Sequence, residues 1–291
     1  MAECQEERIQ ANGLSFALKR WGTGEGVPTL ALHGWLDNAA SFDLLAPQLE
    51  SLNLCAVDLA GHGLSEHRPP CTHYYVSDYA ADMLAVADAL GWQEFNLLGH
   101  SLGANIAVLM AGICPERINK LVLIEGFGPH GREPDTAVSQ LRTAFAKMKN
   151  HRPDKLLVAV AWETLIEKRI HSNLPVNRRA AELLCERGAK AVEGGWAWRS
   201  DPRLRYPSPL RFSEAEVEAI VAAITAPVCL ILGDRGLPQP FLKVDTRKDK
   251  CAELIIKTLN GGHHLHLEEA ATDVAAVINE FLNQIEVNRH E

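Results

Sequence analysis

Residues 95–107 read FNLLGHSLGANIA, which is a short apolar run, a glycine-rich turn and a second apolar run rich in alanine. The first run is typical of a buried β-strand and the second of a buried α-helix. The turn has the form G-x-S-x-G, in which a serine stands on a sharp strand-to-helix turn between small residues. Gly99 and Gly103 meet that need, because a Cβ at either position would press on the facing backbone. The position between strand and helix favours Ser101 as a nucleophile over a chance serine in a glycine-rich turn.

Composition and charge exclude several classes of partner. The chain has 291 residues, of which 47% are hydrophobic and 23% charged, as is usual for a soluble globular protein. Its net charge is −8 at pH 7, so nucleic acids and anionic membrane surfaces are poor partners. No run approaches the ~18 apolar residues that a spanning helix needs. We expect a small-molecule partner, no membrane span, and a monomer or homodimer.

Three features predict a cytoplasmic location. Residues 1–7 are acidic and lack the apolar segment of a secretory signal. Residues 288–291 carry no peroxisomal or retention tripeptide. The seven cysteines are scattered and include no C-x-x-C pair, which is typical of reduced thiols in the cytosol.

Apolar runs alternate with helical periodicity through the first 128 residues. An antiparallel hairpin is predicted over residues 7–21, around Asn12-Gly13. Further strands are predicted at 29–32, 54–57, 95–98 and 120–124, and helices at 44–52, at 76–90 and after Ser101. This alternation implies a mostly parallel sheet with helices on both faces.

The pattern changes after Pro129. Helical patches are predicted at 138–148, 154–168 and 176–187, with no strand up to residue 212. The alternation then resumes with a helix at 213–224, a strand at 228–232, a short helix after Pro240, a strand at 254–257 and a helix at 269–285. These patterns predict an α/β core of residues 1–128 and 211–291, with a helical cap of residues 129–210 inserted into it.

A serine nucleophile needs a base, and histidine is the side chain that titrates near neutral pH. His263 follows a glycine pair directly after the last predicted strand. Because the carboxyl ends of parallel strands meet at one edge of a sheet, His263 can reach Ser101 there. We expect His264 and His266 to pack or to shape the loop. A metal site built from these histidines and Glu268 matches no zinc signature.

The negative oxygen that forms when a serine attacks a carbonyl group needs backbone N–H donors. The N–H of Leu102, directly after the candidate nucleophile, is one. The second is expected from the turn His33-Gly34-Trp35, which follows an earlier strand. We predict the N–H of Trp35, the alternative being that Gly34 only forms a turn.

The sequence resembles the α/β-hydrolase superfamily over essentially its whole length. The motifs that carry the resemblance are His33-Gly34-Trp35, DLAGHGLS at residues 58–65, GHSLG at 99–103 and Gly262-His263. Within the superfamily, GGWAWRSDPRL at 194–204 and GGHHLHLE at 261–268 are similar to the serine hydrolase-like group. The resemblance implies an eight-stranded sheet, a helical cap over the site, ester-type hydrolysis and no cofactor or metal. We expect the pocket to include His33, His100, Trp196 and Trp198.

The acid partner of the histidine departs from the family pattern. The family usually places it in a Gly-x-x-Asp turn, which here reads Gly233-Asp234-Arg235-Gly236, with glycine at the acid position. Asp234 lies two residues early. Glu125 ends the strand that follows the nucleophile helix, where some haloalkane dehalogenases carry their acid. Because burying an unpaired carboxylate is costly, we predict Glu125 as the acid and keep Asp234 as the alternative.

The leading hypothesis is a serine hydrolase of the carboxylesterase type that acts on small or medium uncharged esters. Hydrolysis of a carbon–carbon bond uses the same residues and is the alternative enzyme. A haloalkane dehalogenase would need a carboxylate nucleophile, and residue 101 is serine. A ligand-binding protein without catalysis is the third hypothesis, since a fold does not fix a function.

Overall fold

An eight-stranded β-sheet organises the protein in the computed structural model, which describes residues 4–284 except 23, 25, 51, 52, 71 and 150–158. Its order is β1-β2-β4-β3-β5-β6-β9-β10, and β7 and β8 pair with each other elsewhere. The strands are β1 Gln5–Ala11, β2 Leu14–Trp21, β3 Pro28–Leu32, β4 Asn53–Val57, β5 Phe95–His100, β6 Ile118–Ile124, β7 Ala189–Val192, β8 Gly195–Trp198, β9 Val228–Gly233 and β10 Leu254–Leu259.

The sheet is antiparallel at one edge and parallel through the rest. β1 and β2 form the predicted hairpin, and Asn12 and Gly13 adopt φ values of 47° and 75° at its turn. β2 pairs with β4 in the antiparallel sense, and the pairs from β4 to β10 are parallel. Every residue of β4 and β5 is buried, which explains why these strands read as continuous apolar runs.

Helices cover both faces of the sheet. The helices of the described residues are α1 Val76–Ala89, α2 Leu102–Ile113, α3 Ala137–Lys149, α4 Trp162–Ile170, α5 Arg178–Gly188, α6 Glu214–Ala222, α7 Gln239–Leu242, α8 Val244–Arg247 and α9 Ala271–Asn283. α1, α2 and α6 contribute to the core on one face, and α9 packs on the other. Leu97 and Leu98 point into these two cores in turn, as the alternation of side chains along a strand requires. The α/β-hydrolase architecture expected from the sequence is confirmed.

One helix predicted from the sequence differs from the structure. The helix predicted at 44–52 was wrong, because Ala39–Phe42 and Ala46–Gln48 form short 3₁₀ turns instead. Pro47 explains this, since proline is tolerated in the first turn of a helix but not inside it. The start of the helix predicted at 154–168 and the end of the one predicted at 269–285 lie partly outside the described residues.

The segment between β6 and α6 holds α3, α4, α5 and a hairpin of β7 and β8. The prediction of no strand in this segment was therefore wrong. Each of the two strands has four residues, which is too short for a clear alternation of polar and apolar residues. The segment has its own apolar cluster, which includes Leu165, Leu184 and Ala189. No helix among the described residues has the length and apolar character to span a bilayer.

A buried ion pair attaches this inserted segment to the sheet. Nε of Arg187, in α5, lies 2.9 and 3.0 Å from the two carboxylate oxygens of Asp58, which follows β4. The Arg187 side chain is 7% exposed and that of Asp58 is fully buried. Asp58 also accepts hydrogen bonds from the N–H groups of Ala39 and Leu64. Without the arginine, the Asp58 carboxylate would stay buried with only the hydrogen bonds from Ala39 and Leu64 to stabilise its charge.

We expect Arg187→Met to lower the free energy of unfolding by about 3–5 kcal/mol, since breaking one side of a buried ion pair leaves an unpaired charge. Methionine retains much of the apolar stem, so the loss reports mainly on the charge. The matched control is Arg178→Met in the same helix, where the arginine pairs with Glu163 and Glu182 at the surface. Urea unfolding should show a large shift for the first variant and little for the second. Equal shifts would contradict the prediction.

Candidate active site

Ser101 stands on a strained turn between β5 and α2. Its backbone has φ 52° and ψ −110°, a region that residues with a side chain rarely adopt and that recurs at functional sites. The Ser101 N–H donates to the carbonyl of Ile124 at 2.9 Å, which fixes the turn to the end of β6. A Cβ at Gly99 would lie 2.5 Å from the carbonyl of Gly103, and one at Gly103 would overlap the carbonyl of Leu32. Both glycines are therefore needed for the tight approach of β5, α2 and β3.

Glu125 follows β6 directly and is 1% exposed. Its backbone also has a positive φ of 53°. Oε1 accepts from the N–H of Gly233 at 2.8 Å, and Oε2 accepts from the N–H of Leu237 at 2.7 Å. These bonds compensate the buried carboxylate and orient it toward the loop after β10.

His263, in the loop after β10, lies with Nδ1 3.0 Å from Oε2 of Glu125. Because the carboxylate accepts here, Nδ1 carries a proton, and in the neutral ring Nε2 holds the lone pair. The carbonyl of His263 accepts from Nε2 of His100 at 2.9 Å, which ties this loop to the residue before Ser101. The arrangement leaves one ring nitrogen able to accept a proton from a neighbouring hydroxyl.

The position where the family usually places its acid is occupied by the Glu125 carboxylate itself. A Cβ at Gly236 would overlap both oxygens and the carboxyl carbon of Glu125. The glycine in the Gly-x-x-Asp position thus leaves the space into which Glu125 extends from the neighbouring strand. An acidic side chain can therefore reach this space from residue 125, as here, or from residue 236, as in the usual pattern of the family.

Asp234, the alternative acid, does not face the histidine. Its Oδ1 accepts from the N–H of Gly261 at 2.9 Å and lies 3.3 Å from Nη1 of Arg235. The side chain is about half exposed. Asp234 therefore holds the loop between β10 and His263, which is a capping role.

The two predicted oxyanion donors, the N–H groups of Trp35 and Leu102, have no hydrogen-bond acceptor within the described part of the chain. Leu102 begins α2, where backbone N–H groups are free because the helix has no preceding turn. The loop before Trp35 is held by His33, whose Nδ1 lies 2.8 Å from the carbonyl of Gly34 and whose Nε2 accepts from the N–H of Leu59. Both Trp35 and Leu102 line the same cavity as Ser101.

That cavity has a volume of about 1090 Å³ and opens over Ser101. Its walls come from the segment after β3, from residues 74–79 around the start of α1, and from the inserted segment. Aromatic and apolar side chains dominate among those that line it, including Tyr74, Tyr79, Leu204, Tyr206, Phe212, Leu237 and Phe241. Such a pocket suits a partly apolar small molecule.

Four residues expected in the pocket lie elsewhere. His33 and His100 are fully buried beneath the site and are not among the residues that line the cavity. Trp196 stacks edge-on against Trp162 at a centroid distance of 4.8 Å and, with Trp198, packs on the core of the inserted segment. The tryptophans were expected in the pocket because they lie in the segment predicted as the cap, and position in that segment does not distinguish a pocket wall from a core.

A cluster of histidines lies behind the site. The ring of His100 contacts those of His263, His264 and His266 at centroid distances of 4.2–5.1 Å. Ring nitrogens of His100, His263 and His264 lie close enough together to hold a metal ion. The set fits a cation poorly, because Nδ1 of His263 is bonded to Glu125 and the Arg169 guanidinium lies 3.3 Å from Nε2 of His264.

Sequence reasoning missed one buried ion pair in this cluster, between Asp37 and Arg169. Asp37 also lies 3.4 Å from Nε2 of His264. Although burial raises it, Arg169 and His264 hold the pKa of Asp37 well below its usual range. The available signal was a polar residue three positions after Gly34, close to the end of an apolar strand. Arg169 gave no signal, since its partner lies 132 residues away.

Burial makes several histidines sensitive to acid. It lowers the pKa of His33 from 6.5 to about 4 and that of His266 from 6.5 to about 3. Each ring is neutral in the folded protein and protonates more readily when unfolded. The stability this provides is complete above pH 6.5 and is lost as the pH falls toward the folded pKa.

We expect the free energy of unfolding to fall steeply below pH 6.5, by about 1.4 kcal/mol per pH unit for each such histidine. The variant His266→Gln removes one titrating ring and retains a polar group near Ser41, whose Oγ lies 2.8 Å from Nε2 of His266. Urea unfolding between pH 7 and pH 4.5 should give a shallower slope for the variant than for the wild type. An unchanged slope would contradict the expectation, whatever the variant's stability at pH 7.

Comparisons with known proteins identify the family. A family model described as the α/β-hydrolase fold matches residues 28–164. The chain is 30% identical to a serine hydrolase-like protein of Danio rerio over 275 residues, which is 90% of this chain and 83% of the relative.

Solved structures are similar over nearly the whole chain. A hypothetical protein of Pseudomonas aeruginosa PAO1 is 40% identical with a TM-score of 0.90, over 96% of this chain and 100% of that one. A thioesterase domain from the curacin biosynthetic pathway is 26% identical with a TM-score of 0.82, over 95% and 99% of the two chains. The fold and these relatives support a hydrolase. The chain belongs to the α/β-hydrolase superfamily and, within it, to the serine hydrolase-like group.

Proposed function

We propose that the protein is a serine hydrolase that cleaves carboxylic esters through an acyl-enzyme on Ser101. The observation that carries the proposal is the hydrogen bond between His263 and the buried Glu125 at the sheet edge that also holds the Ser101 turn. In this proposal Ser101 is the nucleophile, His263 the base and Glu125 the acid that orients it. The order serine, acid, histidine along the chain is that of the fold.

The chemistry follows from the proton positions. The hydroxyl oxygen of Ser101 attacks the ester carbonyl carbon while Nε2 of His263 takes the hydroxyl proton. The negative carbonyl oxygen is stabilised by the N–H groups of Leu102 and Trp35. The imidazolium then gives its proton to the departing alcohol as the carbon–oxygen bond breaks. Water repeats the sequence on the acyl-enzyme and releases the carboxylic acid.

Glu125 stabilises the imidazolium that forms in each half of the reaction. It can do so because its two oxygens are fixed by the N–H groups of Gly233 and Leu237. A carboxylate held in this way needs little rearrangement when the charge on the histidine appears.

We propose residues 129–210 as the cap over the pocket. The cavity above Ser101 is walled partly by Pro129, Leu204 and residues 205–208, which supports this role. Its volume fits a small or medium substrate. A cytoplasmic location is part of the proposal and is supported by the described cysteines, all free thiols: Cys4, Cys55, Cys114, Cys185, Cys229 and Cys251.

The experiment that tests the function combines a covalent probe with a substrate panel. A fluorophosphonate should label the purified protein at Ser101, as found by mass spectrometry of the digested protein. The panel is a series of p-nitrophenyl esters of graded chain length, an acyl thioester and a 1,5-diketone whose carbon–carbon bond can be hydrolysed. Turnover of the diketone alone would favour the carbon–carbon hydrolase. No labelling and no turnover would favour a ligand-binding protein.

A further inference from the structure

We propose that the substrate carries an anionic group, a carboxylate or a phosphate, which Arg132, Arg205 and Arg211 bind in the cavity above Ser101. The inference rests on the proposed function only in taking this cavity as the substrate site. It replaces the expectation of an uncharged ester.

The charge of the cavity is opposite to that of the whole chain. The protein has a net charge of −8, yet three arginines and one carboxylate, Glu216, are found among the described residues that line the cavity. Glu216 is already used, because it accepts from the N–H and the Oγ of Ser213 at 2.6 and 2.8 Å at the start of α6. The cavity therefore has an excess of positive charge.

Within the described residues none of the three guanidinium groups donates a hydrogen bond or forms a salt bridge, and Nε of Arg132 is buried without an acceptor. A buried donor without a partner is costly. The hydrogen bonds from Ser213 and, in addition, the charge of Arg132 lower the pKa of Glu216, although no salt bridge joins Arg132 to Glu216. Partial burial and the nearby charge of Arg169 lower the pKa of Arg205.

Three other arginines are bound by charged or polar groups of the chain itself. Arg247 bonds Glu214 and the carbonyls of residues 127–129, and Arg203 bonds Asp201 and three carbonyls. Arg187 pairs with Asp58 and Glu6, although its Nη2 is buried without an acceptor. Arg205 and Arg211 are exposed in the cavity and Arg132 is half-buried, and none of the three has a hydrogen-bond or salt-bridge partner among the described residues, so their guanidinium groups are available to a ligand.

The backbone explains how distant residues come together. The N–H of Arg132 donates to the carbonyl of Phe212 at 2.8 Å, so Arg132 and Arg211 lie on adjacent segments where the chain enters and leaves the cap. Arg205 follows Leu204, whose carbonyl accepts from the indole N–H of Trp35 at 2.9 Å. This contact places Arg205 beside the loop that we propose as part of the oxyanion hole.

The other residues that line the cavity indicate what the substrate carries besides the anionic group. Tyr206, Phe212, Leu237 and Phe241 line the same cavity and give it an apolar surface. The substrate is thus an acyl ester or thioester with an apolar part and an anion some bonds away from the carbonyl. The anion belongs either to the acyl chain, as in a dicarboxylic acid half-ester, or to the leaving group, as in a phosphorylated alcohol or thiol.

The test compares substrates that differ only in charge. One pair is p-nitrophenyl hexanoate and mono-p-nitrophenyl adipate, and the other is the hexanoyl thioesters of pantetheine and 4′-phosphopantetheine. We expect kcat/KM to be about 10- to 100-fold higher for the anionic member of one pair, as charge-assisted hydrogen bonds predict. The pair that shows the preference identifies where the anion lies.

The variants are Arg132→Gln, Arg205→Gln and Arg211→Gln, with Arg142→Gln as the control, an exposed residue of α3 that does not line the cavity. The ratio of kcat/KM between the anionic and neutral members should fall about 10-fold or more in at least one of the first three. The control should keep the wild-type ratio. Far-ultraviolet circular dichroism shows whether each variant is folded.

Binding separates this inference from the proposed function. Monomethyl adipate and pentyl phosphate, two anionic ligands, should raise the melting temperature of Ser101→Ala more than methyl hexanoate does, and the responsive arginine variants should lose the difference. Hydrolysis without an anion preference, together with no difference in melting temperature, would overturn the inference and leave the proposed function standing. An anion-dependent shift without any hydrolysis would support the binding site and count against the proposed function.

Discussion

The variant Ser101→Ala is expected to lose at least about 10⁴-fold in kcat for ester hydrolysis. The reason is that the substitution removes the attacking oxygen and leaves the remaining groups in place. Alanine has the same Cβ, so it introduces no new group at the strained φ of 52°. The measurement is kcat on the best ester of the panel, with the folded state confirmed by circular dichroism.

The matched control is Ser208→Ala, a serine of the same cavity wall that has no part in the proposed chemistry. It should be labelled by a fluorophosphonate as the wild type is, whereas Ser101→Ala should not be labelled. Labelling of Ser101→Ala at the wild-type level would show that the nucleophile is a different residue.

The second large effect is expected at Glu125. The variant Glu125→Gln should lose on the order of 10⁴-fold in kcat. The carboxylate accepts from the N–H groups of Gly233 and Leu237 and from Nδ1 of His263. A glutamine offers one acceptor oxygen, so its amide nitrogen must face either an N–H or the histidine. If the nitrogen faces the histidine, the tautomer in which Nε2 can take the serine proton is lost. In either orientation the neutral amide no longer stabilises the imidazolium charge.

Asp234→Asn is the paired measurement. The Asp234 carboxylate accepts from the N–H of Gly261, and the amide oxygen of asparagine can make the same bond. We expect kcat to change only a few-fold. A large loss of kcat in Asp234→Asn, together with a kcat near the wild-type value in Glu125→Gln, would show that the acid had been assigned to the wrong residue.

Moving the acid gives an independent check. Because a Cβ at Gly236 would overlap the Glu125 carboxylate, removing the glutamate side chain opens that space. The double variant Glu125→Ala with Gly236→Asp should therefore recover part of the activity that Glu125→Ala alone loses. Gly236→Ala alone should lower kcat, since its methyl group displaces the carboxylate from His263.

The alternation of strands and helices could be predicted because each element has its own local signal. Apolar runs mark the buried strands, and Asn12-Gly13 marks the hairpin at one edge. The nucleophile turn was also local, since five consecutive residues contain both the serine and the glycines that permit its backbone. The short strands β7 and β8 and the 3₁₀ turns at 39–48 were missed, because four residues are too few to show a period.

The sequence could predict a site residue only where its place directly after a strand implies that it lies at the sheet edge. His263, Ser101 and Glu125 each follow a parallel strand, and the carboxyl ends of such strands share one edge. Whether the acid came from β6 or from the turn after β9 could not be resolved by order along the chain. The structure shows Glu125 against His263 and Asp234 against Gly261, because the longer side chain fills the space at Gly236.

By itself, the sequence determined the superfamily, the parallel sheet and the candidate nucleophile and base, since these depend on neighbours along the chain. The tertiary structure alone decided which acid meets the histidine, that Trp196 and Trp198 pack in the core of the inserted segment, and that Arg132, Arg205 and Arg211 share a cavity. The physical reason is that an isolated arginine has the same local pattern whether it faces water, an aspartate or an empty pocket. Only the folded chain shows whether the arginine has a partner.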